Sequence, residues 1–282
     1  MEPSVDLPLE RIVRALRTAG CVYAEDEAAI LLEAARSPAE LDGMLARRVA
    51  GLPLEHLVGW AQFHGMRMAV APGVFVPRLR TEFLVGEAAQ ILREVVGTPR
   101  SGLPQAAPGA AVVLDLCCGS GAVGAALARD IDGLVVHAAD IDPAAVACAA
   151  ENLAAYGGKA YCGDLFDAIP PALRGHFDVI AANAPYVPTD AIAYMPPEAR
   201  LFEPDAALNG GVDGLDIQRR IAAAAAGWLR PGGFLLVETS VRQSHASAAI
   251  MEGHGFSAGI RHSEELDGTV VVGRLGAPVS FP

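Results

Sequence analysis

Asn183 and Tyr186 are residues whose types and position suggest chemistry. They belong to the segment Asn-Ala-Pro-Tyr, which directly follows FDVIAA, an apolar run with the composition of a buried strand. Asn and Pro are unfavourable inside strands, so the segment marks the end of a strand, where open α/β sheets bind ligands. An asparagine oxygen at that place suits a planar amide or amino group, whose N–H hydrogens need acceptors. The alternative is an Asn-x-Pro turn that only terminates the strand.

A glycine-rich turn supplies the second candidate site. VVLDLCCGSGAVGAALA is typical of a strand, a tight turn and a helix, and Gly119, Gly121 and Gly124 spell G-x-G-x-x-G. With Asp140 downstream, this pattern fits a dinucleotide-binding oxidoreductase. The same glycines are also expected where a helix merely packs closely on a strand.

Three features favour a different cofactor. Asp115 lies four residues before Gly119, and an acid there suits a cationic amino acid group better than a diphosphate. A Pro-Gly-Gly turn at 231–233 leads into a later strand, and the segment with Asn183 follows the fourth strand. Together these features resemble the class I S-adenosylmethionine-dependent methyltransferases.

Longer motifs narrow the resemblance. In chain order they are GLPLEHLVGWAQFHGMRMAVAPGVFVPRLRTEFLV, DLCCGSG, ADIDPAA, GDLF, NAPY and FEPDAALNGGVDGLDIQRRI. This series resembles the HemK-type protein N5-glutamine methyltransferases, which methylate a glutamine in peptide-chain release factors, and it covers nearly the whole chain. The resemblance implies an α/β fold with a seven-stranded Rossmann-like methyltransferase sheet and a small N-terminal helical domain. It also implies S-adenosylmethionine as cofactor and a glutamine-bearing protein or peptide as substrate.

The resemblance assigns roles in the cofactor site. Asp140 would accept hydrogen bonds from the two ribose hydroxyls. Asp164 would accept one from the adenine amino group, with a turn-forming role as its alternative. The loop around the methionine part would contribute Asp115, Cys117, Gly119 and Gly121, and the remaining implied cofactor contacts are Ile141, Leu165 and Asn183.

For binding of the glutamine amide that accepts the methyl group, the resemblance implies four catalytic residues: Asn183, Ala184, Pro185 and Tyr186. The side-chain oxygen of Asn183 and the backbone carbonyl of Ala184 would accept both N–H hydrogens, while the ring of Tyr186 packs against the planar group. Pro185 biases Ala184 toward extended backbone. No strong base is required, because the proton becomes acidic only as the methyl group transfers.

Three positions depart from the family pattern. Ala184 replaces the first proline of Asn-Pro-Pro-Tyr, Cys117 replaces the first glycine of the cofactor loop, and Arg80 stands where an acid is usual. The substrate implied by the resemblance is therefore a release factor or a diverged acceptor.

The first part of the chain reads as helical. Residues 8–50 have helical periodicity without strand-like alternation, which predicts an N-terminal helical domain over residues 1–58. Within it, Ser37 and Glu40 have the spacing of a capping box. Residues 59–110 contain a predicted hairpin, a helix from about residue 81 to 96 and a Gly/Pro-rich linker.

The remaining residues, 111–282, alternate apolar strands with helices. Such alternation is typical of a mostly parallel sheet with helices on both sides. The last two strands, joined by a turn at Asp267 and Gly268, are predicted to form an antiparallel pair. This region is the predicted methyltransferase domain.

Composition and charge argue against a nucleic-acid-binding, secreted, membrane-associated or metal-dependent protein. The chain of 282 residues has 52% hydrophobic residues and a net charge of −12. Residues 101–282 carry 20 acidic and 10 basic side chains, which argues against direct nucleic-acid binding. The absence of a signal peptide, of an apolar span and of C-x-x-C spacing among five cysteines predicts a cytoplasmic protein without membrane association. The seven histidines show no ligand spacing, so no metal is expected.

The sequence therefore predicts an N-methyltransferase that modifies a glutamine side-chain amide in a protein or peptide. An adenine-N6 nucleic-acid methyltransferase is the first alternative, because it shares the N-x-P-Y pattern, and a small-molecule amide or amine N-methyltransferase is another. A non-catalytic protein that binds the cofactor without turnover is the alternative from a different class. Oligomeric state has no signature in the sequence.

Overall fold

The computed structural model describes residues 8–96 and 109–276. The chain begins with four helices, α1 (Pro8–Thr18), α2 (Ala24–Ala34), α3 (Pro38–Val49) and α4 (Leu54–Val58). They enclose a small core of their own, which includes Ile12, Leu16, Leu31 and Met44. The predicted helical region is confirmed.

The cap of α3 is only partly as predicted. The Ser37 hydroxyl accepts a hydrogen bond from the Glu40 N–H at 3.2 Å, as an N-cap should. The Glu40 carboxylate instead accepts from the backbone N–H of Arg36 at 2.9 Å, one residue earlier than in a capping box. The guanidinium of Arg36 also contacts this carboxylate, so an ion pair reinforces the altered cap.

A two-stranded hairpin and a helix connect this region to the main sheet. Strands β1 (Trp60–Phe63) and β2 (Met66–Ala69) pair antiparallel, and α5 (Glu82–Val95) follows a short 3₁₀ turn at Leu79–Thr81. His64 and Gly65 both have positive φ, at 49° and 71°, which suits a two-residue hairpin turn. The predicted hairpin and helix are confirmed, whereas most of the predicted linker lies outside the described residues.

Seven strands form the main sheet, in the order β5-β4-β3-β6-β7-β9-β8. The first five in this order are parallel, and β9 runs antiparallel to both of its neighbours. The strands are β3 (Val112–Leu116), β4 (Val135–Asp140), β5 (Lys159–Cys162), β6 (Phe177–Ala182), β7 (Leu229–Glu238), β8 (Phe256–Ser263) and β9 (Gly268–Leu275). The predicted fold class and the antiparallel pair at the end of the chain are confirmed.

Helices cover both faces of this sheet. With α5, these are α6 (Ala122–Asp130), α7 (Pro143–Leu153), α10 (Asp216–Ala225) and α11 (Ser244–Gly253). Two short helices, α8 (Pro197–Phe202) and α9 (Asp205–Leu208), lie in the segment between β6 and β7. Strands β3 and β6 are buried along their whole length, between one core cluster under α5 and α6 and another under α10 and α11. Successive connections reverse direction between β3 and β6, and this switch point opens a crevice at the carboxyl ends of the strands.

The N-terminal helices contact the sheet region through a buried arginine. Arg48 on α3 pairs with Glu27 on α2 at 2.6 Å and with Glu198 on α8 at 2.5 Å. Since α8 lies in the long segment after β6, this ion pair joins the helical region to one wall of the crevice. Among the described helices, none is long and apolar enough to cross a membrane.

Candidate active site

A cavity of about 680 Å³ occupies the crevice at the carboxyl ends of the central strands. It lies at the switch point between β3 and β6, where open α/β sheets bind ligands. Ten of the residues predicted from the sequence line it: Cys117, Gly119, Asp140, Ile141, Asp164, Leu165, Asn183, Ala184, Pro185 and Tyr186. Two others, Asp115 and Gly121, lie outside its lining. Cys117 and Tyr186, which are 69 positions apart in the chain, thus line the same cavity.

Asp140 is fixed by the backbone around it. Its two carboxylate oxygens accept hydrogen bonds from the N–H of Gly119 at 2.8 Å and from that of Asp142 at 3.0 Å. Burial raises the pKa of Asp140, and these two N–H groups oppose the rise because they stabilise the carboxylate. Each carboxylate oxygen can accept a second hydrogen bond, so the side chain retains capacity to bind a pair of hydroxyls in the cavity.

Asp115 lies beneath the glycine-rich turn. It is 1% exposed, and it accepts a hydrogen bond from the N–H of Gly124, in the first turn of α6, at 2.8 Å. Burial raises the pKa of Asp115 to about 8. The contact ties α6 to β3 from below, and the expected contact with the cofactor's amino acid part stays a prediction.

Gly124 has the helix-to-strand packing role that was the alternative for the glycine motif, whereas Gly121 packs closely against a helix. A Cβ atom on Gly121 would lie 2.9 Å from Ala149 on α7, and one on Gly124 would lie 2.9 Å from Val136 on β4. Gly121 also has φ of +74°. Both positions therefore exclude a side chain, and Gly119 is the glycine of the motif that lines the cavity.

We expect Gly121→Ala to destabilise the fold by about 2–4 kcal/mol, because it combines a strained backbone with overlap against α7. Gly133→Ala is the matched control: φ there is +72°, but nothing lies within 4 Å of the added atom. Urea unfolding followed by circular dichroism measures both free energies. Equal losses in the two variants would contradict the packing role of Gly121.

Cys117 has an unusual backbone conformation for its type. Its φ is +57°, in the left-handed region where glycine is favoured. Cys117 lines the cavity, and burial raises the pKa of its thiol well above the ordinary range, so the thiol stays neutral. The glycine that the family resemblance leads us to expect here would suit this backbone, which the cysteine adopts as well.

Asp164 lies at the edge of the cavity and is paired. Its carboxylate receives a hydrogen bond from Arg220 on α10 at 2.7 Å, and both side chains are about half exposed. Leu165 follows with φ of +49° at the start of a 3₁₀ turn. An adenine amino group at Asp164 would therefore share the carboxylate with the guanidinium, and the adenine contact stays a prediction.

Hydrogen bonds hold both ends of the Asn-Ala-Pro-Tyr segment. The side-chain nitrogen of Asn183 donates to the Thr81 hydroxyl at 3.1 Å, while the Tyr186 hydroxyl donates to Glu238 at 3.3 Å. Gln243 donates from its side-chain nitrogen to the backbone carbonyl of Tyr186 at 2.9 Å. Burial raises the pKa of Tyr186 to about 12, so its hydroxyl remains a donor. With its nitrogen engaged by Thr81, Asn183 has its oxygen available as an acceptor.

Known proteins of similar sequence are methyltransferases. Residues 101–202 match the methyltransferase small domain family. The chain is 38% identical to the release factor glutamine methyltransferase of Geobacter sulfurreducens, over 76% of this chain and 70% of that one. It is also 38% identical to the enzyme of the same name from Cereibacter sphaeroides, over 82% of this chain and 76% of that one. The chain belongs to the release factor glutamine methyltransferase family.

Solved structures support the fold of this family member. A methyltransferase from Pyrococcus furiosus superposes with a TM-score of 0.53 at 16% identity, covering 83% of this chain and 99% of that one. The 16S rRNA N2 G1207 methyltransferase of T. thermophilus superposes with a TM-score of 0.51 at 21% identity, covering 77% of this chain and 49% of that one. Family membership makes the protein an S-adenosylmethionine-dependent methyltransferase, so the dehydrogenase interpretation of the glycine motif is wrong.

Sequence reasoning missed several residues of this site. Thr81, Glu238 and Arg220 all line the cavity or contact its lining, and none was singled out. Glu238 had a usable signal, because it ends an apolar strand just as Asn183 does. Thr81 and Arg220 had none, since their positions depend on packing between distant elements.

Proposed function

We propose that this protein methylates the side-chain amide nitrogen of a glutamine in a protein, and that a peptide-chain release factor is the acceptor. The observation that carries the proposal is the orientation of Asn183. Its nitrogen is engaged by Thr81, which leaves its oxygen to receive an N–H hydrogen in the cavity. Relatives of 38% identity that are named release factor glutamine methyltransferases support the choice of acceptor.

The residues of the cavity fit S-adenosylmethionine at one end. Asp140 would bind the ribose hydroxyls, and Gly119 leaves room beside the loop, because nothing lies within 4 Å of a Cβ atom added there. Ile141, 57% exposed and in the cavity lining, offers an apolar surface to the adenine ring. When bound, the cofactor supplies an electrophilic methyl group on positively charged sulfur.

The other end would hold the acceptor amide. Asn183 and the carbonyl of Ala184 accept its two N–H hydrogens, and the ring of Tyr186 packs against its plane. With the cofactor held at the Asp140 end of the cavity, its methyl group would pass to this nitrogen, and the electron pair of the carbon–sulfur bond would remain on sulfur. The nitrogen then loses one proton to solvent. Two fixed acceptors aim a weakly nucleophilic nitrogen and stabilise the positive charge that develops on it.

The domain division at residues 1–58, 59–110 and 111–282 gives the helical region a proposed role. Arg48 connects that region to Glu198 on α8, and the neighbouring α9 residues Ala206 and Ala207 line the cavity. The helical domain would therefore hold α8 and α9 in place, and the acceptor protein would dock against this side of the cavity. A release factor acts in the cytoplasm, and the five cysteines without C-x-x-C spacing are consistent with that compartment.

The acceptor class is tested with methyl-labelled cofactor and host lysate. We expect label in a protein of release-factor size, unaffected by nuclease and removed by protease, because the acidic catalytic half has little affinity for a phosphate backbone. Mass spectrometry should then locate one added methyl group on a glutamine of the purified release factor. Replacement of that glutamine by alanine is the control and should abolish labelling.

Three other outcomes of this experiment would contradict the proposal. Label that disappears with nuclease and persists with protease would favour the adenine-N6 alternative. Label in a different protein would keep amide methylation and reject the release factor. Cofactor binding without transfer to any acceptor would support the non-catalytic alternative.

A further inference from the structure

Residues 210–214, GGVDG, belong to a sequence motif that the proposed chemistry does not use. They pack directly on the Asn-Ala-Pro-Tyr segment. A side chain on Gly210 would overlap the backbone oxygen of Pro185, and one on Gly214 would overlap the backbone oxygen of Tyr186. Just beyond Tyr186, three backbone hydrogen bonds of 2.9 to 3.0 Å join residues 187–189 to residues 208–211. The glycines therefore allow a second loop to support the segment that is proposed to bind the acceptor.

A glutamine side chain holds the same two loops together. The side-chain nitrogen of Gln243 donates to the backbone carbonyls of Tyr186 at 2.9 Å and of Asp213 at 3.0 Å. Its side-chain oxygen accepts from the Ser240 hydroxyl at 2.6 Å. Carbonyl oxygens only accept, so the nitrogen of Gln243 must face both of them. The side-chain amide thus has a single orientation, and it uses both of its N–H hydrogens.

The other partners of Gln243 are anchored to regular elements of the domain. The carboxylate of Asp213 accepts a hydrogen bond at 3.0 Å from Arg219, which lies in α10. Ser240 closely follows β7, which is the neighbour of β6 in the sheet. Gln243 therefore connects the carbonyl of Tyr186 to both a helix and a central strand.

The composition of the Asn-Ala-Pro-Tyr segment explains why it needs such a donor. Pro185 and Pro188 have no N–H group, so this stretch cannot form the regular hydrogen bonds of a strand. The proposed contacts with the acceptor amide all lie in the segment: the oxygen of Asn183, the carbonyl of Ala184 and the ring of Tyr186. A displacement of about 1 Å in such contacts can lower a rate about a hundredfold.

We propose that Gln243 is a positioning residue for methyl transfer, which fixes the Asn-Ala-Pro-Tyr segment by binding the carbonyls of Tyr186 and Asp213 together. Gln243 lies outside the cavity lining, so it acts through Tyr186 and touches neither acceptor nor cofactor. The inference rests on the proposed function, because the segment is the proposed binding site of the acceptor amide.

Steady-state kinetics with a glutamine-bearing protein that the wild type methylates test the proposal. Gln243→Met keeps the length of the side chain but removes both N–H donors, and Gln243→Glu keeps its shape but turns an oxygen toward the two carbonyls. We expect each to lower kcat about tenfold or more, with the Kd of S-adenosylmethionine changed less than about twofold.

The matched control is Gln90→Met, which makes the same substitution at an exposed position of α5 outside the cavity lining. Its kcat should stay within about twofold of the wild type, because an exposed side chain without such contacts contributes little. Circular dichroism checks that all three variants are folded. Since Gln243 is only half-buried, we expect its variants to fold as well.

Nuclear magnetic resonance of the tyrosine rings provides a readout that needs no acceptor. The chain contains five tyrosines, and comparison with Tyr186→Phe assigns the ring signals of Tyr186. We expect these signals to shift or broaden in both Gln243 variants, because the carbonyl of Tyr186 has lost its donor, but not in Gln90→Met. Tyr161, in β5, is the internal control, and its signals should stay unchanged in every variant.

The outcomes separate this inference from the proposed function. A lower kcat together with changed signals of Tyr186 alone would support the role of Gln243. Unchanged kcat or unchanged signals of Tyr186 in both Gln243 variants would overturn it, and so would changes that extend to Tyr161, since these indicate a general loss of structure. A wild type that methylates no glutamine would reject the proposed function, while the tyrosine signals would still decide whether Gln243 holds the segment.

Discussion

Asn183→Ala is expected to lower kcat about a hundredfold or more while the affinity for S-adenosylmethionine stays nearly unchanged. The loss of one positioned hydrogen-bond partner in a transition state commonly costs about 3 kcal/mol. Asn183 directly follows β6 and its side chain donates to Thr81. The proposed ribose contact, Asp140, lies at the end of a different strand, β4, so cofactor binding should not depend on Asn183. Single-turnover methyl transfer to the purified acceptor and isothermal titration with the cofactor measure the two quantities separately.

Two further variants sharpen this prediction. Asn183→Asp keeps an acceptor oxygen but replaces the nitrogen that donates to Thr81, so we expect the loss of geometry to lower kcat here as well. Ala184→Pro restores the double proline of the family and retains the backbone carbonyl, so we expect it to be tolerated. Wild-type turnover by Asn183→Ala would reduce the segment to a strand terminator. Inactivity of Ala184→Pro would mean that the backbone here differs from that of the family.

Asp140→Ala is expected to weaken S-adenosylmethionine binding by about 1.5–3 kcal/mol, or roughly 10- to 150-fold in Kd. The change removes the proposed acceptor for two ribose hydroxyls. It also removes the acceptor that the N–H groups of Gly119 and Asp142 share, at 2.8 and 3.0 Å. Isothermal titration measures the change in affinity, and circular dichroism checks that the fold is intact.

The control for this variant is Asp132→Ala, which removes the same charge from an exposed loop outside the cavity lining. Its cofactor affinity should stay within twofold of the wild type. Unchanged affinity in Asp140→Ala would remove this residue from the ribose site. Asp140→Asn should lie between the two, because it keeps one oxygen acceptor for the glycine-rich turn.

Local patterns in the sequence were sufficient to predict the strand ends. Asn183 and Asp140 were recognised because apolar runs of strand length stop there, and the carboxyl ends of parallel strands meet at one edge. Positive φ at turns was likewise predictable at Gly119 and at Gly65, where tight turns require it. Such signals depend on a few neighbouring residues, so the amino-acid sequence contains them directly.

Packing between distant elements decided the rest. The hydrogen bond that orients Asn183 joins residues 102 positions apart, and the ion pair between Asp164 and Arg220 joins residues 56 apart. Gly121 is required because α7 passes 2.9 Å from its missing side chain, a contact that no turn rule contains. Composition, periodicity and motif order therefore determined the fold class and the strand ends that form the site. Only the tertiary structure decided which side chains hold them, because hydrogen-bond direction and steric fit exist only once the elements have packed.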